Sequence, residues 1–288
     1  MMFAKFMLND VPHMAGVMPA GNAEHKEKIS RYYEESYVDY ERFWKTSETL
    51  SLHYGYHEQP GTPHAVAVVD MIKKLATVAR IIPTDYVLDA GCGVGGSSNW
   101  LAGNIGCKVV GIDITESQLE KARQHAYPGV EFFSMDFCNT TFPDSTFDVV
   151  WAIESSCHAQ DKADFVREAY RILKTGGRLA VADGFGVRPD MKILQGWAVP
   201  NLAGVDQFMG QLLDAGFSNI VFKDITENVM PSSRRMRRAA MSVYPIHKAS
   251  KYLHLRTQAQ YGNVETAIEQ YDLLTRSEFK YCIFVGEK

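Results

Sequence analysis

Val87-Leu-Asp-Ala-Gly-Cys-Gly-Val-Gly-Gly96 is the stretch whose reading decides the fold. A short apolar run that ends in an acid and breaks at once into glycines predicts a buried strand opening into a loop that a ligand approaches closely. Glycine leaves the backbone room there. Gly91, Gly93 and Gly96 also fit the G-x-G-x-x-G spacing of a dinucleotide-binding turn, so spacing alone leaves the ligand open. Asp89 is the discriminating residue. Beside a pyrophosphate its carboxylate meets a like charge, whereas opposite a positive sulfur and a free ammonium it is favoured.

Outward from this turn, apolar periodicity alternates between strand and helix. The pattern predicts helices over 97–104, 116–126, 162–173 and 205–215, and strands over 108–112, 130–134, 147–153, 177–182, 219–226 and 279–286. Such alternation means a largely parallel sheet with helical crossovers. Upstream, Ala65, Val66, Val69, Ile72, Leu75 and Val78 fall at helical spacing and predict an amphipathic helix over 62–79. Ile29, Tyr32, Tyr33, Tyr37, Tyr40, Phe43 and Trp44 give an earlier helix one aromatic face, which either packs in a core or walls a substrate. Residues 1–21 have no clear period and read as a tail that orders only if it docks, for example on a partner subunit. Residues 227–277 are too long for a bare loop and carry helical periodicity.

Composition narrows the class. A chain of 288 residues with 46% hydrophobic content can bury a full core, and a net charge of -4 provides no basic field for nucleic acid. Five cysteines without a C-x-x-C pair argue against a disulfide framework and a zinc site, so no metal and a reducing cytoplasm are expected. No apolar run reaches spanning length, and Asn9, Asp10 and Pro12 cut the first one short of a signal core.

Three further acids follow strands. Asp113, in Gly111-Ile-Asp113, lies about 20 residues beyond the glycine turn, where an acid accepts hydrogen bonds from a ribose; it could also cap the helix that follows. Asp136, in Met135-Asp-Phe137, sits after the third strand, and Glu154, in Ile153-Glu-Ser-Ser-Cys-His158, after the fourth. Glu154 and His158 stand four residues apart, so one helical turn would make them a base and its orienting partner. The alternative is a carboxylate holding loop amides and a surface histidine.

Taken in order, Asp89 to Gly96, Asp113, Met135 to Phe137, 147–154 and 173–179 resemble the motif series of class I S-adenosylmethionine-dependent methyltransferases over about 84–183. Ile153 to His158, with His53-Tyr-Gly-Tyr-His57 upstream, resembles sterol C-methyltransferases and, more loosely, tocopherol methyltransferases. The resemblance implies an α/β Rossmann-like fold: a seven-stranded, mostly parallel sheet with an antiparallel last strand and a helical cap. It implies S-adenosylmethionine as cofactor, bound by Asp89, Ala90, Gly91, Gly93, Asp113, Ile114, Gln118, Met135, Asp136, Phe137, Ile153 and Tyr37. His158, Glu154 and Tyr54 would carry the chemistry.

The expected organisation is a tail and aromatic helix contributing to the cap (1–60), the cofactor-binding core (61–183), the end of the sheet with a connecting cap segment (184–227), a helical cap insertion (228–277) and the last strand (278–288). The expected activity is C-methylation of an alkene in a terpenoid or prenylated metabolite, through a carbocation and proton loss. Rivals are O- or N-methylation of a phenol or amine, a nicotinamide oxidoreductase, and a non-catalytic cofactor-binding subunit. A small apolar acceptor and a homo-oligomer are the expected partners. Arg234, Arg235, Arg237 and Arg238 form a basic cluster that suits either a substrate phosphate or a solvated face.

Overall fold

The computed structural model describes residues 20–44, 46–186, 193–252 and 255–288; the expected tail lies outside these up to residue 19. In chain order the elements are α1 (Ala20–Trp44), α2 (Thr46–Thr49), α3 (His64–Val78), β1 (Tyr86–Ala90), α4 (Gly96–Trp100), β2 (Lys108–Asp113), α5 (Glu116–Gln124), β3 (Glu131–Ser134), β4 (Phe147–Ile153), α6 (Lys162–Ile172), β5 (Leu173–Gly186), α7 (Ile193–Gly196), α8 (Val205–Ala215), β6 (Ser218–Asp224), α9 (Thr226–Tyr252), α10 (Gln258–Thr275) and β7 (Phe279–Glu287).

Seven strands form one sheet in the order β3-β2-β1-β4-β5-β7-β6. Neighbours are parallel except β7, which runs antiparallel to β5 and β6. The expected seven-stranded sheet with an antiparallel last strand is therefore present. Its inner strands read as continuous apolar runs because both faces are covered. Val87, Val109, Trp151 and Ile283 point to the side packed by Met71, Ile72 and Leu75 of α3. Leu88, Val110, Val150 and Phe284 point to the opposite side, against Phe165 and Ile172 of α6 and Phe208 of α8. The alternation is the two-residue period of a strand.

Two elements differ from expectation. The helix expected over 97–104 winds as α4 only to Trp100 and then as a π-helical turn over Leu101–Ile105, where Gly106 donates its N–H to Leu101 O at 3.2 Å. The strand expected over 177–182 runs from Leu173 through Gly186: Leu173 pairs with Phe147 of β4 at its start, and β7 pairs with its far end as far as Gly186–Phe279.

β1 lies centrally, with β2 on one side and β4 on the other, so the connections leaving β1 and β4 diverge at their carboxyl ends and open a crevice. Above it, α10 packs against α9, α7 and α1, and both α9 and α10 touch β7. Among the described residues no helix is long and apolar enough to cross a membrane.

Candidate active site

The crevice holds two adjoining cavities of about 1060 and 1050 Å³, each counted with its mouth. Tyr33, Leu52, Glu154 and His158 line both and so mark the junction.

The first cavity is built on the glycine turn. Gly91 and Gly93 have φ of +80° and +54°, a region that suits glycine. A Cβ on Gly91 would stand 2.3 Å from Ser155 Cβ, so the turn from β4 packs directly on the loop. Asp89, at the end of β1, is 2% exposed and accepts a 2.6 Å hydrogen bond from Ser98 Oγ. Burial is the main reason its carboxyl is pushed up to about 7, with nearby Asp113 adding to it. Asp113 accepts from the N–H of Gly93 at 3.0 Å and of Thr115 at 2.8 Å, tying the turn to the end of β2. This acid holds backbone amides and also lines the cavity. Asp136 accepts from Cys138 N–H at 2.8 Å and pairs with Lys26 of α1 at 2.5 Å.

Of the residues expected to hold cofactor, Asp89, Gly91, Gly93, Asp113, Ile114, Gln118, Asp136, Phe137 and Ile153 line this cavity. Three do not. The carbonyl of Ala90 accepts from Ser155 Oγ at 2.5 Å, Met135 Sδ accepts from Thr141 Oγ1 at 3.9 Å, and the Tyr37 hydroxyl donates to Glu41 one turn along α1. Ala90 and Met135 face into packing, and Tyr37 carries Lys121 on its ring. The donor set fits S-adenosylmethionine: a buried acid at the strand end for positive charge, an acid for a diol, and Asp136 with Phe137 for a ring bearing an amine. Gln118 Oε1, buried and without a hydrogen bond among the described residues, is a further acceptor there.

The second cavity is aromatic. Tyr32, Tyr33 and Tyr40 of α1, Tyr54, and Tyr281 of β7 line it, with Trp197, Phe279 and aliphatic side chains of α9 and α10. Each of the five tyrosine hydroxyls is bonded to protein. Tyr32 and Tyr40 share a 2.6 Å hydrogen bond, Tyr54 donates to Gln270 Oε1 at 2.6 Å, and Tyr281 donates to Glu154 Oε1 at 2.7 Å. The Tyr33 hydroxyl lies 2.8 Å from His158 Nε2. Of the aromatic face expected on α1, Tyr32, Tyr33 and Tyr40 are cavity wall and Tyr37 is not, while the side chains of Phe43 and Trp44 lie outside the described residues.

The helical turn expected from Glu154 to His158 is absent. Glu154 has φ +50° and is followed by a 3₁₀ turn over Ser156–His158, and the two side chains bond to different partners. Glu154 Oε1 accepts from Tyr54 N–H at 2.6 Å as well as from Tyr281. Burial pushes its carboxyl up to about 8, although both hydrogen bonds oppose the shift. His158 is buried, which lowers its imidazole to about 3, with Lys162 contributing. It is neutral at physiological pH, and its Nδ1 makes no hydrogen bond among the described residues.

Sequence reasoning missed the groups that hold this turn. Asp183 accepts from Ser156 Oγ at 2.6 Å and Cys157 N–H at 2.9 Å. Lys162 donates to the carbonyls of Cys157, Ala159 and Asn201 at 2.7, 2.8 and 2.7 Å. Asp183 ends the Leu-Ala-Val-Ala run of β5, and that position was its only signal in the sequence.

A family model described as a methyltransferase domain matches residues 88–181. The chain is 31% identical over 195 residues to 27-O-demethylrifamycin SV methyltransferase of Amycolatopsis mediterranei, covering 63% of this chain and 72% of that one. The chain belongs to the class I S-adenosylmethionine-dependent methyltransferases. Sterol 24-C-methyltransferase of Eremothecium gossypii is 32% identical over 225 residues, 73% of this methyltransferase and 59% of the sterol enzyme. The chain spans 64%, 72% and 59% of the length of the first curated relatives it matches. Among solved structures, geranyl diphosphate C-methyltransferase from Streptomyces coelicolor A3(2) superimposes with a TM-score of 0.73 at 19% identity, covering 93% of this chain and 99% of that one. That likeness is one of fold. The cofactor of this methyltransferase is S-adenosylmethionine.

Proposed function

We propose that this methyltransferase methylates a carbon of an alkene in a terpenoid or prenylated small molecule, leaving a cation on the acceptor that then loses a proton. The observation that carries the reading is the second cavity. Its five tyrosine hydroxyls are all engaged by protein, so the rings, and not free nucleophilic oxygens, are what an acceptor meets. Ring faces stabilise a nearby cation.

When bound, S-adenosylmethionine supplies an activated methyl electrophile, so the protein's part is alignment, exclusion of water and handling of one proton. Tyr33, Leu52, Glu154 and His158 border both cavities and delimit where the two reactants meet. A C–H beside a carbocation is a strong acid, and the neutral imidazole of His158 suffices to accept it. Taking the proton of a phenol, with a pKa near 10, onto an imidazole lowered to about 3 is instead strongly uphill, by on the order of 10 kcal/mol. Tyr54 presents its ring beside Tyr281, with centroids 5.5 Å apart.

One observation favours a second reading, O-methylation of a phenol or N-methylation of an amine: Glu154, at about 8, is close enough to a phenol to share its proton. Transfer of a labelled methyl group to panels of terpenoid, prenylated-indole and phenolic acceptors separates the two. Alkene-bearing terpenoids should be labelled, and labelling confined to phenols or amines would overturn the first reading. The homo-oligomer and the cytoplasmic setting remain part of this proposal, and purified protein running as a monomer would remove the former.

A further inference from the structure

Gln270 of α10 is fully buried and uses its whole amide. Its Oε1 accepts from the Tyr54 hydroxyl and from Ser233 Oγ, both at 2.6 Å. Its Nε2 donates to the carbonyls of Ser233 at 3.1 Å and Ala267 at 3.0 Å. Two hydroxyl donors on one oxygen and two carbonyls on one nitrogen fix which way the amide points. Ser233 lies on α9, so one side chain joins both cap helices to Tyr54. Next to it, Ser232 Oγ accepts from Gly55 N–H at 3.0 Å, which clamps the same segment a second time. At the other end of Tyr54, the backbone N–H donates to Glu154 Oε1.

We infer that Gln270 is a positioning residue: it fixes the ring of Tyr54 against the acceptor and, through the Tyr54 N–H, the orientation and proton affinity of Glu154. The inference rests on Tyr54 and Glu154 facing the acceptor, as in the reading above, and holds for methylation of carbon or heteroatom. A buried, fully satisfied polar hub specifies one arrangement, whereas a hub with one member removed leaves orphaned donors that must move. Without Gln270 the Tyr54 hydroxyl has to find another acceptor, and the segment carrying its N–H shifts with it. Around Glu154 the other titratable groups are Tyr281, Asp183, Cys157, and Tyr33 and Tyr40 of α1. None of them touches Gln270 through a hydrogen bond.

The test is the pH profile of S-adenosylmethionine affinity, measured by calorimetry, which needs no acceptor. E154Q should remove the upper inflection of the wild-type profile and thereby assign it. Q270M, close in volume to the native side chain, should move that inflection up by about one pH unit, because Tyr54 N–H no longer steadies the carboxylate. Adding Y54F to Q270M removes the orphaned hydroxyl and should bring the inflection back toward wild type. An inflection unmoved in folded Q270M, one that Y54F fails to restore, or one that survives E154Q would each overturn the inference. Carbon against heteroatom methylation is read from products, so failure of the functional reading is seen separately.

Discussion

The Tyr33 hydroxyl and His158 Nε2 meet at 2.8 Å where the glycine-turn cavity and the aromatic cavity join. The phenol pins the imidazole, while burial keeps it uncharged. Replacing His158 by alanine should therefore lower kcat by roughly 100- to 10,000-fold, the range of a lost proton acceptor, and leave cofactor affinity within about twofold. Y33F, which only frees the ring, should cost less. A fully active H158A would remove His158 from the chemistry.

Asp89, at about 7, and Glu154, at about 8, both stand above the ordinary carboxylate range because burial disfavours their charge. A raised folded value contributes stability below the unfolded value and loses it as pH rises through the folded one. The cofactor-free protein should thus melt at progressively lower temperature between about pH 6.5 and 8.5, a window above the depressed His158 and His53. Binding of a sulfonium cation has the opposite sign: it should release protons and tighten across the same window. Calorimetry in buffers of different ionisation enthalpy measures that release. S-adenosylhomocysteine, with a neutral sulfur, should release fewer. Equal release by the two ligands would separate these carboxylates from the cofactor's charge.

Asp113 holds two loop amides and lines the cavity built on the glycine turn. Loss of a charged acceptor costs roughly 1.5 to 3 kcal/mol, so D113A should weaken S-adenosylmethionine binding by about 10- to 150-fold. Unchanged affinity by calorimetry would remove its assignment to the ribose.

Lys162 is 4% exposed, and its ammonium donates to three carbonyls that shape the turn ending at His158 and the segment at Asn201. Lys162→Met keeps the stem and orphans those carbonyls, so urea unfolding should show a loss of roughly 2 to 4 kcal/mol. A variant as stable as the parent would mean that water or backbone adjustment replaces the ammonium.

The core was legible in the sequence because its signals are local. β1, β2 and β4 are apolar runs buried on both faces, and the acids Asp89, Asp113, Asp136 and Glu154 each stand at or just beyond a strand end. β5 was read short because its apolar run is flanked by Gly176 and Gly184, which suggest breaks. Pairing with β7 overrides that propensity, and the ring of Phe279 fills the place where a Gly184 Cβ would sit, 2.3 Å away. The wall of the second cavity was less legible, since contacts there join distant positions. Tyr54 and Gln270 are 216 residues apart, and no local period says which cap helix faces which segment. Lys26 on Asp136 is the same kind of contact. Glu154 and His158 were expected as a pair on helical spacing, but the left-handed backbone at Glu154 sends them to different partners.

The most direct measurement is nuclear magnetic resonance of the product formed with ¹³C-methyl S-adenosylmethionine and an alkene-bearing terpenoid acceptor. The labelled methyl is expected on carbon at a former alkene position, with one acceptor proton lost. A labelled methyl on oxygen or nitrogen would contradict it.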